Sequence, residues 1–315
     1  MSDGHRFAIA TRDELWSLGA NRLLLESRHS HGEALLRGAE LIATDARDER
    51  LVQVCDARLE RARAATSELR DARVRLVVTA RRARETSVRD TIVVTRGGIS
   101  IVSDAEHLSA DLPLLGNAVS HAGVVVERDP TLPILWRNGS GAVLLHEAVG
   151  HAAEHGHFGG DWPAWLRVTD EPEIAFDDAG VATRGVNLLR EPPACLRRES
   201  FRDVPLPRMS RVVVSESGAP FALPPARIDI QLVAGGVYEP LTQVVTLFVV
   251  HAERVDGDER QRVRPFELRA TRADIARAQC GASGQPQRYP GVICSREGQE
   301  VVVGSHAPLL LTAFG

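Results

Sequence analysis

The hydrophobic pattern changes character part-way along the chain. Apolar residues recur at helical spacing over residues 13–28, 31–43 and 51–69, which predicts three helices. Alternation then takes over. Residues 73–79 (RVRLVVT) predict a strand, and 91–102 (TIVVTRGGISIV) predict a hairpin turning at Arg96-Gly97-Gly98. Residues 103–118 are mixed, as expected of a linker. From residue 121 onward short β-rich runs dominate, at 123–126, 134–136, 174–176, 186–189, 211–215, 228–233, 243–251, 263–268 and 299–303. Turn-forming clusters such as Asn138-Gly139-Ser140-Gly141 separate them. Two helices interrupt this region: 142–155, rich in Ala and Leu and free of proline, and a shorter one at 271–279. The pattern implies an α+β chain. A small N-terminal α/β region (1–115) precedes a mostly antiparallel β domain (116–315) that carries the helix at 142–155.

Composition sets bounds on this picture. A length of 315 residues favours two domains over one, with ample core for both. Apolar residues at 43% and charged residues at 25% are ordinary for a soluble globular protein. A net charge of -4 gives no electrostatic footprint for nucleic acid or for an acidic membrane surface. No apolar run approaches the roughly 20 residues of a membrane span. Residues 1–6 lack the basic-then-apolar pattern of a signal peptide, so a cytoplasmic location is expected. All 38 basic residues are arginine. That excludes a P-loop, a lysine Schiff base and a Ser-Lys hydrolase, each of which needs an amine. The four cysteines (Cys55, Cys195, Cys280, Cys294) form no CxxC pair and are expected as free thiols.

The chemistry-bearing segment is 144–157, LLHEAVGHAAEHGH. A His-Glu pair followed by a second His on one helix is the pattern of zinc peptidases. There imidazoles hold the metal and the glutamate takes a proton from water. The usual H-E-x-x-H spacing is replaced here by H-E-x-x-x-H. On an ideal helix five positions turn through roughly 500°, so the rings of His146 and His151 would diverge by about 140°. Gly150, just before His151, is a place where an added residue fits as a π-bulge or a break. The string alone leaves three readings open. One is a modified zinc motif with Glu147 as base, and another is a surface His beside a helix carboxylate. In the third, His151 and His155 pair at ideal i,i+4 spacing, with His157 close behind and Glu154 as ligand or supporting partner.

Taken with its neighbours, the segment 141–151 (GAVLLHEAVGH), with Glu154 three residues on, resembles the signature of the TldD/PmbA family of metallopeptidases. Three further segments resemble that family in the same order: 169–185 (TDEPEIAFDDAGVATRG), 197–209 (RRESFRDVPLPRM) and 278–285 (AQCGASGQ), the last followed by a looser match at Pro290-Gly291-Val292. Together they cover roughly residues 134–303. The resemblance implies a zinc site completed by the cysteine of the C-G-x-x-G-Q segment, here Cys280, with Cys294 the alternative thiolate outside that segment. It implies Zn2+ held by His146, His151 and Cys280, a position left open for water, and Glu147 as general base. Arg197, Arg198 and Glu199 fall in a family segment near the cleft, where they would hold substrate backbone or form an ion-pair network.

The family acts on unfolded or leader-type peptides. It commonly works as a pair, one subunit bearing the motif and a relative lacking it, so a homodimer or a heterodimer with a related subunit is expected. Residues 1–115 match no part of the family in sequence, and fewer residues precede the metal helix than in typical members. The alternative is a metal-free, non-catalytic interaction subunit. The presence of His146, Glu147, His151 and Cys280 argues against it.

Overall fold

The computed structural model describes residues 5–19, 22–37, 40–44, 47–82, 86–120, 124–175, 177, 181–199, 206–216, 220–297 and 299–314. It begins with three strands, β1 (His5–Leu18), β2 (Arg22–Arg37) and β3 (Glu40–Thr44), where helices were expected over 13–28 and 31–43. The reason lies in which residues face inward. On β1 the buried positions alternate as Ala8, Ala10, Arg12 and Glu14. Two of these four are charged, so the period of two is absent from the hydrophobicity. Arg12 meets Asp56 at 2.6 Å, and Glu14 accepts from Arg63 Nε at 3.0 Å. On β2, residues 22–30 are all exposed, so burial imposes no pattern on them.

Helix α1 (Glu49–Ala65) forms as its periodicity predicts. Asp48 caps it, accepting from Leu51 N at 3.1 Å, and Leu51, Val52, Cys55, Leu59 and Ala62 make its buried stripe. The stripe packs on β1 and on the strands β4 (Ala72–Arg82) and β5 (Thr86–Arg96). β4 alternates cleanly, burying Ala72, Val74, Leu76, Val78 and Ala80. The expected hairpin joins β5 to β6 (Ile99–Ser103) through Gly97 and Gly98, both at positive φ as a tight two-residue turn requires. The stretch expected as a linker instead contains helix α2 (Leu108–Val119).

The remaining strands are β7 (Val125–Val126), β8 (Ile134–Trp136), β9 (Leu166–Asp170), β10 (Val186–Asn187), β11 (Arg197–Glu199), β12 (Leu206–Arg208) and β13 (Arg211–Glu216). Long strands follow: β14 (Ala226–Glu239), β15 (Val244–Asp256), β16 (Glu259–Val263), β17 (Phe266–Thr271), β18 (Gln279–Arg296) and β19 (Gln299–Thr312). Among the described residues, seventeen strands join one curled mixed sheet, while β11 and β12 pair apart. The strand expected at 174–176 is a bend where described, and Phe176 lies outside the described residues.

Two features of this sheet position the site. Short β8 lies parallel to β14 and antiparallel to β19, and delivers the chain into the helical segment 141–154. β18 pairs with β19 and meets β6 at Gly291–Val102. One apolar core is shared by the two ends of the chain, from Ala8 and Leu76 through Trp136 and Leu144 to Leu310. Among the described residues no helix is long and apolar enough to cross a membrane.

Candidate metal centre

The segment 141–154 is continuous but not uniform. It starts as α-helix at α3 (Gly141–Leu145), passes through a π-helical turn at His146–His151, and resumes as α4 (Ala152–Glu154). The i→i+5 ladder of a π-turn takes up the residue by which H-E-x-x-x-H exceeds the common spacing. His146 and His151, which an ideal α-helix would splay apart, have ring centroids 4.8 Å apart and planes at 89°. Gly150 allows the turn to be covered closely. A Cβ built there would lie 1.9 Å from Met209 Sδ, so only glycine lets the buried Met209 pack onto this face.

A thiol completes the cluster. Ligand atoms of His146, His151 and Cys294 all lie within 4.8 Å of one another, looser than the roughly 3.5 Å between two ligands of a tetrahedral zinc. Cys294 Sγ is 3.2 Å from His151 Nε2. The structure thus brings in Cys294 where the resemblance implied Cys280. Cys280 sits at the other end of the same strand, exposed, its Sγ 3.4 Å from the Ala278 carbonyl oxygen. β18 is 18 residues long with register shifts at 279/281, 283/287 and 289/292, so position along the sequence does not reveal which thiol turns toward the histidines.

Charged groups behind the cluster hold its members. His151 Nδ1 donates to Glu154 Oε2 at 3.0 Å, which leaves Nε2 toward Cys294, as in the carboxylate–histidine pairs behind metal sites. Glu154 Oε1 accepts from Met209 N at 2.9 Å and lies 3.4 Å from Arg208 Nε. Arg208 donates from Nη2 to the Cys294 carbonyl at 2.7 Å and to its Sγ at 3.1 Å. Glu154 and Arg208 are both buried; the supporting place of Glu154 was one of the readings the sequence left open, and that of Arg208 was not legible there. The signal that existed was position alone, Glu154 standing three residues after His151 and Arg208 standing just before Met209 in the P-x-P-R-M string.

Glu147 points into the same space, with Oε2 3.7 Å from His151 Nε2 and Oε1 4.0 Å from His146 Nε2. Burial pushes its carboxyl up to about 7, opposed by the nearby His151 charge and assisted by Glu154. Burial also drives His146 well below the usual imidazole range, with the His151 and Arg208 charges adding to the effect. Against its own burial, His151 is held well above that range by Cys294, Glu154 and Glu147. Glu147 Oε2 and His146 Nδ1 are buried without a hydrogen-bond partner. Orphaned polar atoms of this kind call for a role beyond packing. Two imidazoles and a thiol gathered at one buried point, with orphaned polar atoms beside them, fit a zinc ion by donor type.

The cluster floors a cleft of about 550 Å³ between β14 and β18, closed on another side by β5 and β6. His155 lies on the cleft wall outside the cluster, and His157 Nδ1 shares a 2.7 Å hydrogen bond with Tyr238 Oη. Arg197 is buried and donates to the Met209 carbonyl at 3.2 Å, and it does not line this cleft. The side chains of Arg198 and Glu199 lie outside the described residues.

No family model matches the chain. No curated protein matches it either. Solved structures do. The fold is similar to that of a candidate modulator of DNA gyrase from Thermotoga maritima, with a TM-score of 0.54 and 11% identity over 98% of this chain and 94% of that one. It is also similar to TldE from Thermococcus kodakarensis, with a TM-score of 0.52 and 11% identity over 99% and 97% of the two chains. Identity this low speaks to the fold alone. The likeness nonetheless runs through residues 1–115, where the sequence resembles nothing in the family.

Proposed function

We propose that this chain is a zinc-dependent peptidase that hydrolyses extended, unfolded or leader-type peptides with Glu147 as general base. The observation that carries the reading is the π-turn. It places His146 and His151 beside Cys294 while leaving the Glu147 carboxylate buried, with Oε2 free of any hydrogen bond and its pKa raised to about 7. His146, His151 and Cys294 would hold the ion, which supplies Lewis acidity toward a water and a scissile carbonyl when bound. Glu147, with its pKa near 7, takes the proton from the attacking water and delivers it to the leaving amine. Glu154 fixes the His151 ring through Nδ1, and Arg208 holds the Cys294 end of β18 against Glu154.

The walls of the cleft suit a polypeptide. β14 pairs with β8 only through residues 228–230, and its stretch 232–238 borders the cleft. Tyr289 Oη accepts from Val233 N and donates to Val233 O, both at 2.8 Å, which satisfies that residue and leaves the strand beyond it to an added strand.

Purified protein should carry one zinc per chain and hydrolyse an unfolded peptide, with activity lost to chelator. Glu147→Gln should keep the zinc and lose at least 10²-fold in kcat, the scale of a missing general base. Absence of bound metal, or full activity in Glu147→Gln, overturns the assignment.

A further inference from the structure

Three of the large apolar side chains left exposed on this protein gather at one place, on the walls of the cleft. Val237 on β14 is 53% exposed, Phe248 on β15 39% and Ile293 on β18 38%. Singly exposed apolar residues are ordinary, but a group of them around one concave site is the mark of a binding surface. The charges of the cleft point the same way. Among the described residues that line it, Glu147 is the only carboxylate, and the proposed reaction uses it. Of the cations, Arg296 donates from Nη1 to the Glu154 carbonyl at 3.0 Å and has Nε 3.5 Å from Glu297, so its charge is already engaged. Apart from Glu147, the described residues of these walls hold no carboxylate to pair with a lysine or arginine side chain, and their cations Arg296 and His151 already face Glu297 and Glu154.

We infer that the cleft selects peptides with apolar residues flanking the bond above Glu147, using Val237, Phe248 and Ile293 as the contact surface. This rests on the peptidase reading for the position of the bond, but not for the preference itself, which binding alone can measure. An extended backbone lying between β14 and β18 presents alternate side chains to opposite walls. Apolar side chains there cover the three exposed residues. Charged ones are stripped of water without a partner.

The probe is a set of three fluorescein-labelled hexapeptides, identical except for central Leu-Leu, Asp-Asp or Lys-Lys. Binding is measured by anisotropy on zinc-loaded Glu147→Gln, with hydrolysis by the wild type measured in parallel. The Leu-Leu peptide should bind about tenfold or more tighter than either charged peptide, the discrimination that apolar pockets reach. Phe248→Asp and Ile293→Asp should each erase most of that margin and improve the Lys-Lys peptide. Both positions are surface-exposed, so melting temperatures near wild type will show that the fold is intact. Equal affinities within twofold, no binding of the Leu-Leu peptide, or indifference to both substitutions overturns the inference. If the preference is present but the wild type cleaves none of the three, the peptidase reading fails and the inference stands.

Discussion

At the scale of single residues, the site turns on which of two thiols on one strand faces the histidines. Cys294 is buried and 3.2 Å from His151 Nε2, while Cys280 is exposed and turned to a neighbouring carbonyl. Cys294→Ser should therefore lose at least tenfold in zinc affinity, because a serine hydroxyl is a poor replacement for thiolate toward this ion. Cys280→Ser should bind zinc as the wild type does. Zinc titration against a chromogenic chelator separates the two, and the reverse result would move the site. That His146, Glu147 and His151 come together was legible from the sequence because one helical segment ties their positions to their spacing. The cysteine was not, since bulges in β18 uncouple sequence position from direction. Glu154 meets His151 at the local i,i+3 spacing, but Arg208 acts through contacts made only in the folded chain, so no spacing announces it.

At the scale of elements, the added residue in H-E-x-x-x-H is readable in advance as a distortion, and the π-turn at His146–His151 is that distortion. What sequence spacing does not supply is the contact that covers the turn. Gly150 faces Met209 Sδ so closely that Gly150→Ala overpacks a buried position, at a cost of about 1–3 kcal/mol. Met209 also donates from its backbone N to Glu154, which holds the His151 ring, so the repacked side chain belongs to a residue that supports a proposed ligand. Gly150→Ala should lower the melting temperature by several degrees and weaken zinc binding as well. Gly116→Ala is the control. It lies in α2 with nothing within 4 Å of an added Cβ and with helical gain from alanine, so it should leave both unchanged or raise the melting temperature. Matching effects from the two would dissociate the turn from Gly150. Elsewhere, legibility followed side-chain chemistry. α1 and β4 bury apolar residues at their proper periods and were predictable. β1 buries Arg12 and Glu14 against α1, and so passed for a helix.

At the scale of the whole molecule, the proposed ligands come from chain segments nearly 150 residues apart, the π-turn and the end of β18, which meet only in the folded protein. Other links also reach across the sequence. Arg288 of β18 pairs with Asp111 of α2 at 2.8 Å, and β18 meets β6 at Gly291–Val102. Neither link runs through the proposed ligands, so the apo-protein should be folded, unlike a small domain that needs zinc to fold at all. A ligand that binds only the native arrangement still adds stability by mass action, about 2.7 kcal/mol when free zinc is a hundredfold above its Kd. At roughly 2–4 °C per kcal/mol for large domains, zinc should raise the melting temperature by about 5–10 °C over chelator-treated protein. In Cys294→Ser that increment should fall to about half or less, while the apo melting temperature stays near wild type, because the change removes a donor and not the fold. Scanning calorimetry with and without chelator on both proteins checks it. A zinc increment undiminished in Cys294→Ser would mean that the ion binds elsewhere, and an apo-protein already unfolded at 25 °C would mean that the long-range links are too weak to hold the site open for metal.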